Sequence, residues 1–187
     1  MYCRPALMLS TLVVLGACST VGTTELTRLP EAKGAVLMSC NDLTTRFAFA
    51  NTAVASSATI ATGSLTLGGQ PIAEHCLVKG AMFKRNGSDG KEYAIAFEMR
   101  LPKAWNGRYF YQANGGLDGS VTTAQGALGG GPITGALAQG FAVISSDAGH
   151  TGAQTAAFGF DPIARLDYGY QAVAKLTPMA KDLIKTA

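Results

Sequence analysis

The sequence predicts an α/β protein: a mostly buried sheet with helices on both faces, preceded by a small β-rich segment. Three observations carry that prediction. The run Phe141-Ala-Val-Ile144 is continuously apolar, as in a parallel strand covered on both faces. Tyr168, Ala172, Val173, Leu176, Ala180, Leu183 and Ile184 recur at helical spacing. Charged residues make up 14% of the chain, against about 25% in an ordinary soluble domain, while Gly numbers 23. Few charges and many glycines favour tight turns around buried strands over a solvated helical bundle.

The N-terminus reads as a targeting segment. Arg4 supplies a positive start, and the apolar stretch from Ala6 to Leu15 is too short to span a bilayer. It ends in Leu15-Gly16-Ala17-Cys18, which resembles the bacterial lipoprotein cleavage site, with an ordinary secretory signal as the alternative. Residues 1–17 are expected to be removed, Cys18 to carry lipid, and residues 18–34 to form a polar tether; residues 35–187 make the domain. Either alternative exports the chain, to the periplasm or, since Ser19 rather than Asp follows Cys18, to the outer membrane. In that oxidising space Cys40 and Cys76 remain as a pair and are expected to be bonded. His75 beside Cys76 could suggest a metal site, but no second Cys or His cluster accompanies it. The net charge of +3 is scattered, with no basic stripe, which leaves nucleic-acid binding unsupported.

Along the domain, Asn41-Asp42 starts a helix before Leu43, and the stretch from Ala53 to Leu67 alternates weakly as a strand, broken at Gly68-Gly69. Ile72 to Lys79 reads as a strand carrying Cys76. Asn86-Gly87 and Asp89-Gly90 mark a hairpin turn between Ala81–Phe83 and Tyr93–Leu101. In the second of these strands Tyr93, Ile95, Phe97 and Met99 share one face, and Glu98 and Arg100 leave the other at least partly wet. Pro102 stops the strand, and Trp105 reads as a core anchor under the next turn. Ile133 to Gln139 reads as a short helix stopped by Gly140. Asp161-Pro162 opens the last helical element, where Pro178 either kinks the helix or begins a second segment after Thr177.

Two stretches suggest chemistry. The aromatic strand Tyr109–Gln112 runs into Asn114-Gly115-Gly116, where glycines reach dihedrals closed to other residues and leave peptide N–H groups unshielded. Bare N–H donors at the end of a strand suit a developing oxyanion, so Gly115 and Gly116 are candidate donors. The apolar run 141–144 leads into Ser145-Ser146-Asp147-Ala148-Gly149-His150, at the carboxyl edge where open α/β sheets collect ligands. A Ser–His pair this close on one loop rarely reaches nucleophile geometry, so Asp147 and His150 are expected to brace loops or border a pocket.

Taken in order, Leu101-Pro102, Trp105-Asn106-Gly107-Arg108, Asn114-Gly115-Gly116, Gly140-Phe-Ala-Val, Asp147-x-Gly149-His150 and Asp167-Tyr-Gly-Tyr-Gln-Ala-Val173 resemble the N-terminal part of the tannase and feruloyl esterase family, over about Cys40 to Ala187. The Cys40/Cys76 pair matches one in that family. The resemblance implies part of an α/β-hydrolase sheet and a serine carboxylic ester hydrolase acting on small aromatic esters of the gallate or ferulate type. It also implies that the nucleophilic Ser, in a Cys-Ser-x-Gly-Gly turn, and the Asp and His of the triad lie beyond the matched region. Calcium is common in the family's lid, which has no counterpart here, and no cofactor is expected in this segment. The domain is therefore expected to be an N-terminal fragment, inactive alone, with Val173, Leu176, Leu183 and Ile184 lacking the strand they are patterned to cover. The alternative is a non-catalytic exported lipoprotein that binds a partner or ligand.

Overall fold

The computed structural model describes residues 30–126 and 134–187. The targeting segment, Cys18, most of the tether and the start of the helix expected at Ile133 lie outside the described residues. From Ala32 onward the chain forms one unit. Its elements are β1 (Ala35–Val36), α1 (Leu43–Arg46), β2 (Thr52–Ile60), β3 (Thr66–Leu67), β4 (Gln70–Pro71), β5 (His75–Asn86), β6 (Glu92–Pro102), β7 (Ala104–Trp105), β8 (Tyr109–Gln112), β9 (Ala142–Ser146), α2 (Pro162–Leu166) and α3 (Ala172–Thr186). A turn of π-helix over Asp167–Gln171 joins α2 to α3.

Among the described residues, five strands make the central sheet, in the order β2-β5-β6-β9-β8. The first three pair antiparallel, β9 runs antiparallel to β6, and β8 runs parallel to β9. The apolar run expected as a parallel strand is therefore parallel on one side only, and all five residues of β9 are buried. Side-chain alternation divides β9 between two cores. Ala142 and Ile144 join the larger core with Leu176, Met179, Ala180 and Leu183 of α3, while Val143 packs on the opposite face with Ile72, Ala124 and Leu137. That second face is closed by the β3–β4 hairpin and a 3₁₀ turn at Leu137–Gln139, where Gly140 at φ 86° ends the turn.

Several local expectations change once the partners are seen. The segments read as two strands at Ile72–Lys79 and Ala81–Phe83 form one long β5, and a register shift between Met82 and Arg85 lets Phe83 take φ 53°. Tyr93, Ile95, Phe97 and Met99 are buried as the period predicted, yet Glu98 and Arg100 on the other face are buried too, not wet. Arg100 Nε donates to Glu98 (2.8 Å), Arg100 and His75 Nε2 lie 2.8 Å apart, and Glu98 accepts from the Ala124 amide (3.1 Å). Each buried charge is thus paired and hydrogen-bonded, the condition under which burial is tolerable.

Helix α3 is continuous through Pro178. Pro178 removes a donor from the Ala174 carbonyl, but both residues are exposed, so water can take the missing N–H's place. Leu176 and Leu183 are fully buried, and Ile184 is buried with them, so the sheet present covers them; of the four residues expected to lack cover, Val173 alone is exposed. Burying each such leucine is worth about 1.5–3 kcal/mol.

Candidate functional site at the carboxyl ends of β8 and β9

The end of β8 is anchored by amide side chains. Gln112 is buried; its Nε2 donates to Thr122 Oγ1 (2.8 Å) and its Oε1 accepts from the Gly126 amide (2.7 Å). Asn114 Nδ2 donates to the Ser146 carbonyl (2.8 Å) and the Ser120 carbonyl (3.1 Å), and Asn114 Oδ1 accepts from Thr122 Oγ1 (2.6 Å). One asparagine therefore links the ends of both parallel strands to the loop that follows.

Beyond Asn114 the backbone enters the left-handed region, at φ 82° for Gly115 and 61° for Gly116, values that a side chain would strain. Space is not what requires glycine, since a Cβ at either position would meet nothing within 4 Å. The carbonyls of the turn are occupied: Gly115 O accepts from the Asp118 amide (3.0 Å) and Gly116 O from Tyr168 Oη (2.8 Å). Both glycines are exposed, and their amides donate to no acceptor among the described residues. The arrangement offers two free N–H donors at a strand's carboxyl end.

The Ser145–His150 loop does not form a nucleophile–base pair. Ser145 Oγ faces Asn114 and Thr122, whereas Ser146 Oγ lies 2.7 Å from Tyr111 Oη and accepts from the Ala148 amide (3.2 Å). His150 is buried, its ring stacked on Phe158 at 3.6 Å between centroids, and its Nδ1 has no hydrogen-bond partner among the described residues. Burial pushes the His150 pKa below its ordinary value, favouring the neutral ring.

Asp147 ties loops together. Its Oδ1 accepts from the amides of Ala96 (3.0 Å) and Gly149 (2.9 Å), and its carbonyl accepts from Gly119 (3.2 Å). Burial pushes its carboxyl up to about 6; the Gly149 and Ala96 amides oppose the shift, and the charge of Asp118 adds to it. A folded pKa above the unfolded one means that the folded state gains protons, and stability, as pH falls from about 6 to about 4. Asp147→Asn keeps the Oδ1 acceptor but not the titration. The stability difference between the two proteins is expected to change by about 2 kcal/mol between pH 7 and pH 4, in favour of the wild type in acid. Urea unfolding at both pH values checks this; a constant difference would refute it.

Three features of the site were not legible in advance. Helical spacing puts Tyr168 among core residues, and the π-helical register that turns it toward Gly116 leaves no sequence period. Asp161 before Pro162 signals only a helix start, but it is the buried partner of Arg85, 76 residues away. The third is Asn114, whose amide group does more anchoring than its turn-forming backbone suggested. Among the described residues no three His, Cys, Asp or Glu side chains converge.

The mixed sheet, with β8 and β9 parallel at one edge and α3 packed on its face, fits part of an α/β-hydrolase sheet. The model of the family described as "Tannase and feruloyl esterase" matches residues 76–187. The chain belongs to the tannase and feruloyl esterase family. It is 46% identical over 116 residues to the mono(2-hydroxyethyl) terephthalate hydrolase of Piscinibacter sakaiensis, covering 58% of this chain and 19% of the relative. An uncharacterized esterase of Agrobacterium fabrum is 34% identical over 115 residues, 59% of this chain and 20% of the relative. In fold, the chain is similar to the crystal structure of feruloyl esterase B from Aspergillus oryzae, with a TM-score of 0.61 at 22% identity, over 79% of this chain and 28% of that one. The chain spans about a fifth of the length of the curated relatives it matches.

Proposed function

We propose that this chain is the oxyanion-binding N-terminal segment of a serine carboxylic ester hydrolase acting on small aromatic esters, with Gly115 or Gly116 supplying an N–H to the developing charge. The observation that carries the reading is the pair of exposed, unpartnered amides at the carboxyl end of β8. A relative named for hydrolysing an aromatic ester supports the substrate class. Nucleophile, base and orienting acid are assigned to sequence beyond the segment, because acyl transfer needs a base within reach of the nucleophile and Ser145, Ser146 and His150 do not meet. Among the described residues β8 pairs on one side only, and a groove of about 760 Å³ bordered by Trp105, Tyr109 and Ile184 lies next to it, which suits a sheet that continues. Export, lipidation at Cys18 and a tether over residues 18–34 belong to the same proposal, resting on the sequence alone.

The test is an assay of the purified chain with methyl gallate and methyl ferulate. No turnover above background is expected, because an oxyanion turn stabilises charge only after something has attacked the carbonyl. Turnover that vanishes in Ser146→Ala would overturn the assignment of the nucleophile. A second reading, a non-catalytic exported lipoprotein that binds a partner, draws support from the closed core, in which Leu176, Leu183 and Ile184 are already covered. Cooperative unfolding without activity, together with a coding sequence that supplies no nucleophile turn, would favour it.

A further inference from the structure

The hydroxyl of Tyr168 makes one hydrogen bond among the described residues, to the carbonyl of Gly116, 52 positions earlier. Its ring has a separate explanation: it packs edge-on against Phe158 (5.2 Å between centroids) and His150 (5.8 Å). Packing accounts for an aromatic residue there but not for the oxygen. Tyr168 lies in the π-helical turn Asp167–Gln171, where an extra residue in the ring of hydrogen bonds re-aims side chains relative to an α-helix. That turn sends Asp167 inward, buried and paired with Lys175, and points Tyr168 at the glycine turn, while Gly169 and Tyr170 face solvent.

The geometry of the peptide unit gives the contact its meaning. In a trans peptide the C=O and N–H point in opposite directions from one rigid plane. Holding the Gly115 carbonyl from Asp118 and the Gly116 carbonyl from Tyr168 therefore orients the amides of Gly116 and Leu117 away from those partners. Glycines have more conformational freedom to lose than any other residue, so without such restraint the donors would sample many directions. We propose that Tyr168 is a positioning residue: its hydroxyl, delivered by the π-helical turn, clamps the Gly116 carbonyl and holds the amides of the Asn114–Leu117 turn ready for an anion. The proposal rests on reading that turn as the oxyanion site, and it adds that the site is preorganised from the last helix as well as from the strands.

The experiment uses the isotope-labelled full chain, with Tyr168→Phe to remove only the hydroxyl and Tyr170→Phe, at a solvent-facing position, as control. In Tyr168→Phe the Gly116 carbonyl resonance is expected to move. Amide order parameters at Gly115, Gly116 and Leu117 are expected to fall from about 0.85 to below about 0.6, with those of Ile144 and Leu176 unchanged. Benzoate, as an aromatic carboxylate probe, is expected to shift the same three amides in the wild type and to bind Tyr168→Phe about tenfold more weakly, the scale of one lost hydrogen bond. Unchanged order parameters would overturn the clamp, and unchanged benzoate affinity would overturn its role in positioning. If the wild-type amides ignore benzoate while the variant still loosens the turn, the anion site itself is wrong and Tyr168 is only structural. Should the variant fail to fold, a Tyr168 hydroxyl proton in the wild type without a cross-peak to Gly116 would overturn the proposal on its own.

Discussion

Asp161→Ala is expected to be the most destabilising single change in the described residues' polar network, costing about 3–5 kcal/mol. Asp161 is 2% exposed and accepts from Arg85 Nη2 (2.6 Å), the Ser88 amide (2.9 Å) and the Ala164 amide (2.7 Å). It thereby pairs an arginine whose side chain is 20% exposed, holds the β5–β6 hairpin turn, and caps α2, whose first residue is Pro162. Breaking a fully buried pair costs about 3–5 kcal/mol; partial solvation of Arg85 lowers that figure, and the lost cap restores about 1 kcal/mol of it. Arg85 retains a stacking contact over Tyr93 at 4.9 Å, which places the expectation toward the lower end. Burial alone would raise the Asp161 carboxyl, but Arg85 and the two amides outweigh it and hold the pKa well below the usual range. A depressed folded pKa contributes stability above about pH 4 and loses it as pH falls further. Wild type and variant should therefore converge toward pH 2. Urea unfolding at pH 7 and pH 3 decides the matter, and a loss under 1 kcal/mol at neutral pH would show that Asp161 is not the hub described.

The second large effect concerns the cross-link. Cys40 and Cys76 are joined, with their Cα atoms 5.5 Å apart and 36 positions between them in sequence. In the chain-entropy account, closing a loop of that length costs the unfolded state about 3–4 kcal/mol, so reduction is expected to destabilise the fold by that amount. The bond fastens the segment before α1 to β5, and Leu43 of α1 is fully buried in the main core. Local release of α1 should precede global unfolding once the cross-link is gone. Denaturant unfolding with and without dithiothreitol measures the effect; coincident midpoints would refute it.

How much was legible depended on the range of the interaction. Strand periodicity is local, so Tyr93, Ile95, Phe97 and Met99 could be assigned to the core from their spacing alone. Glu98 and Arg100 obey the same alternation, but their burial rests on His75 and Ala124, about 25 residues away on other elements. Gly115 and Gly116 were legible as a turn because glycine pairs mark positive φ. That Tyr168 holds a carbonyl of the turn was not, because that bond forms only after the π-helical turn has docked. Pro178 left two readings open, a kink or a second segment after Thr177, and the uninterrupted α3 excludes the second segment.

The order β6-β9-β8 also governs the timing of assembly. β9 lies between two strands that precede it in sequence, so β8 has no partner in the sheet until β9 exists. Because the chain is delivered N-terminus first, the aromatic strand Tyr109–Gln112 emerges before Ala142–Ser146 can pair with it. For that interval three aromatic rings and their backbone donors are exposed to any passing strand or chaperone. The yield of native protein should therefore follow how quickly the stretch between the two strands is delivered to the compartment where the chain folds, a property of the delivering machinery rather than of the folded state.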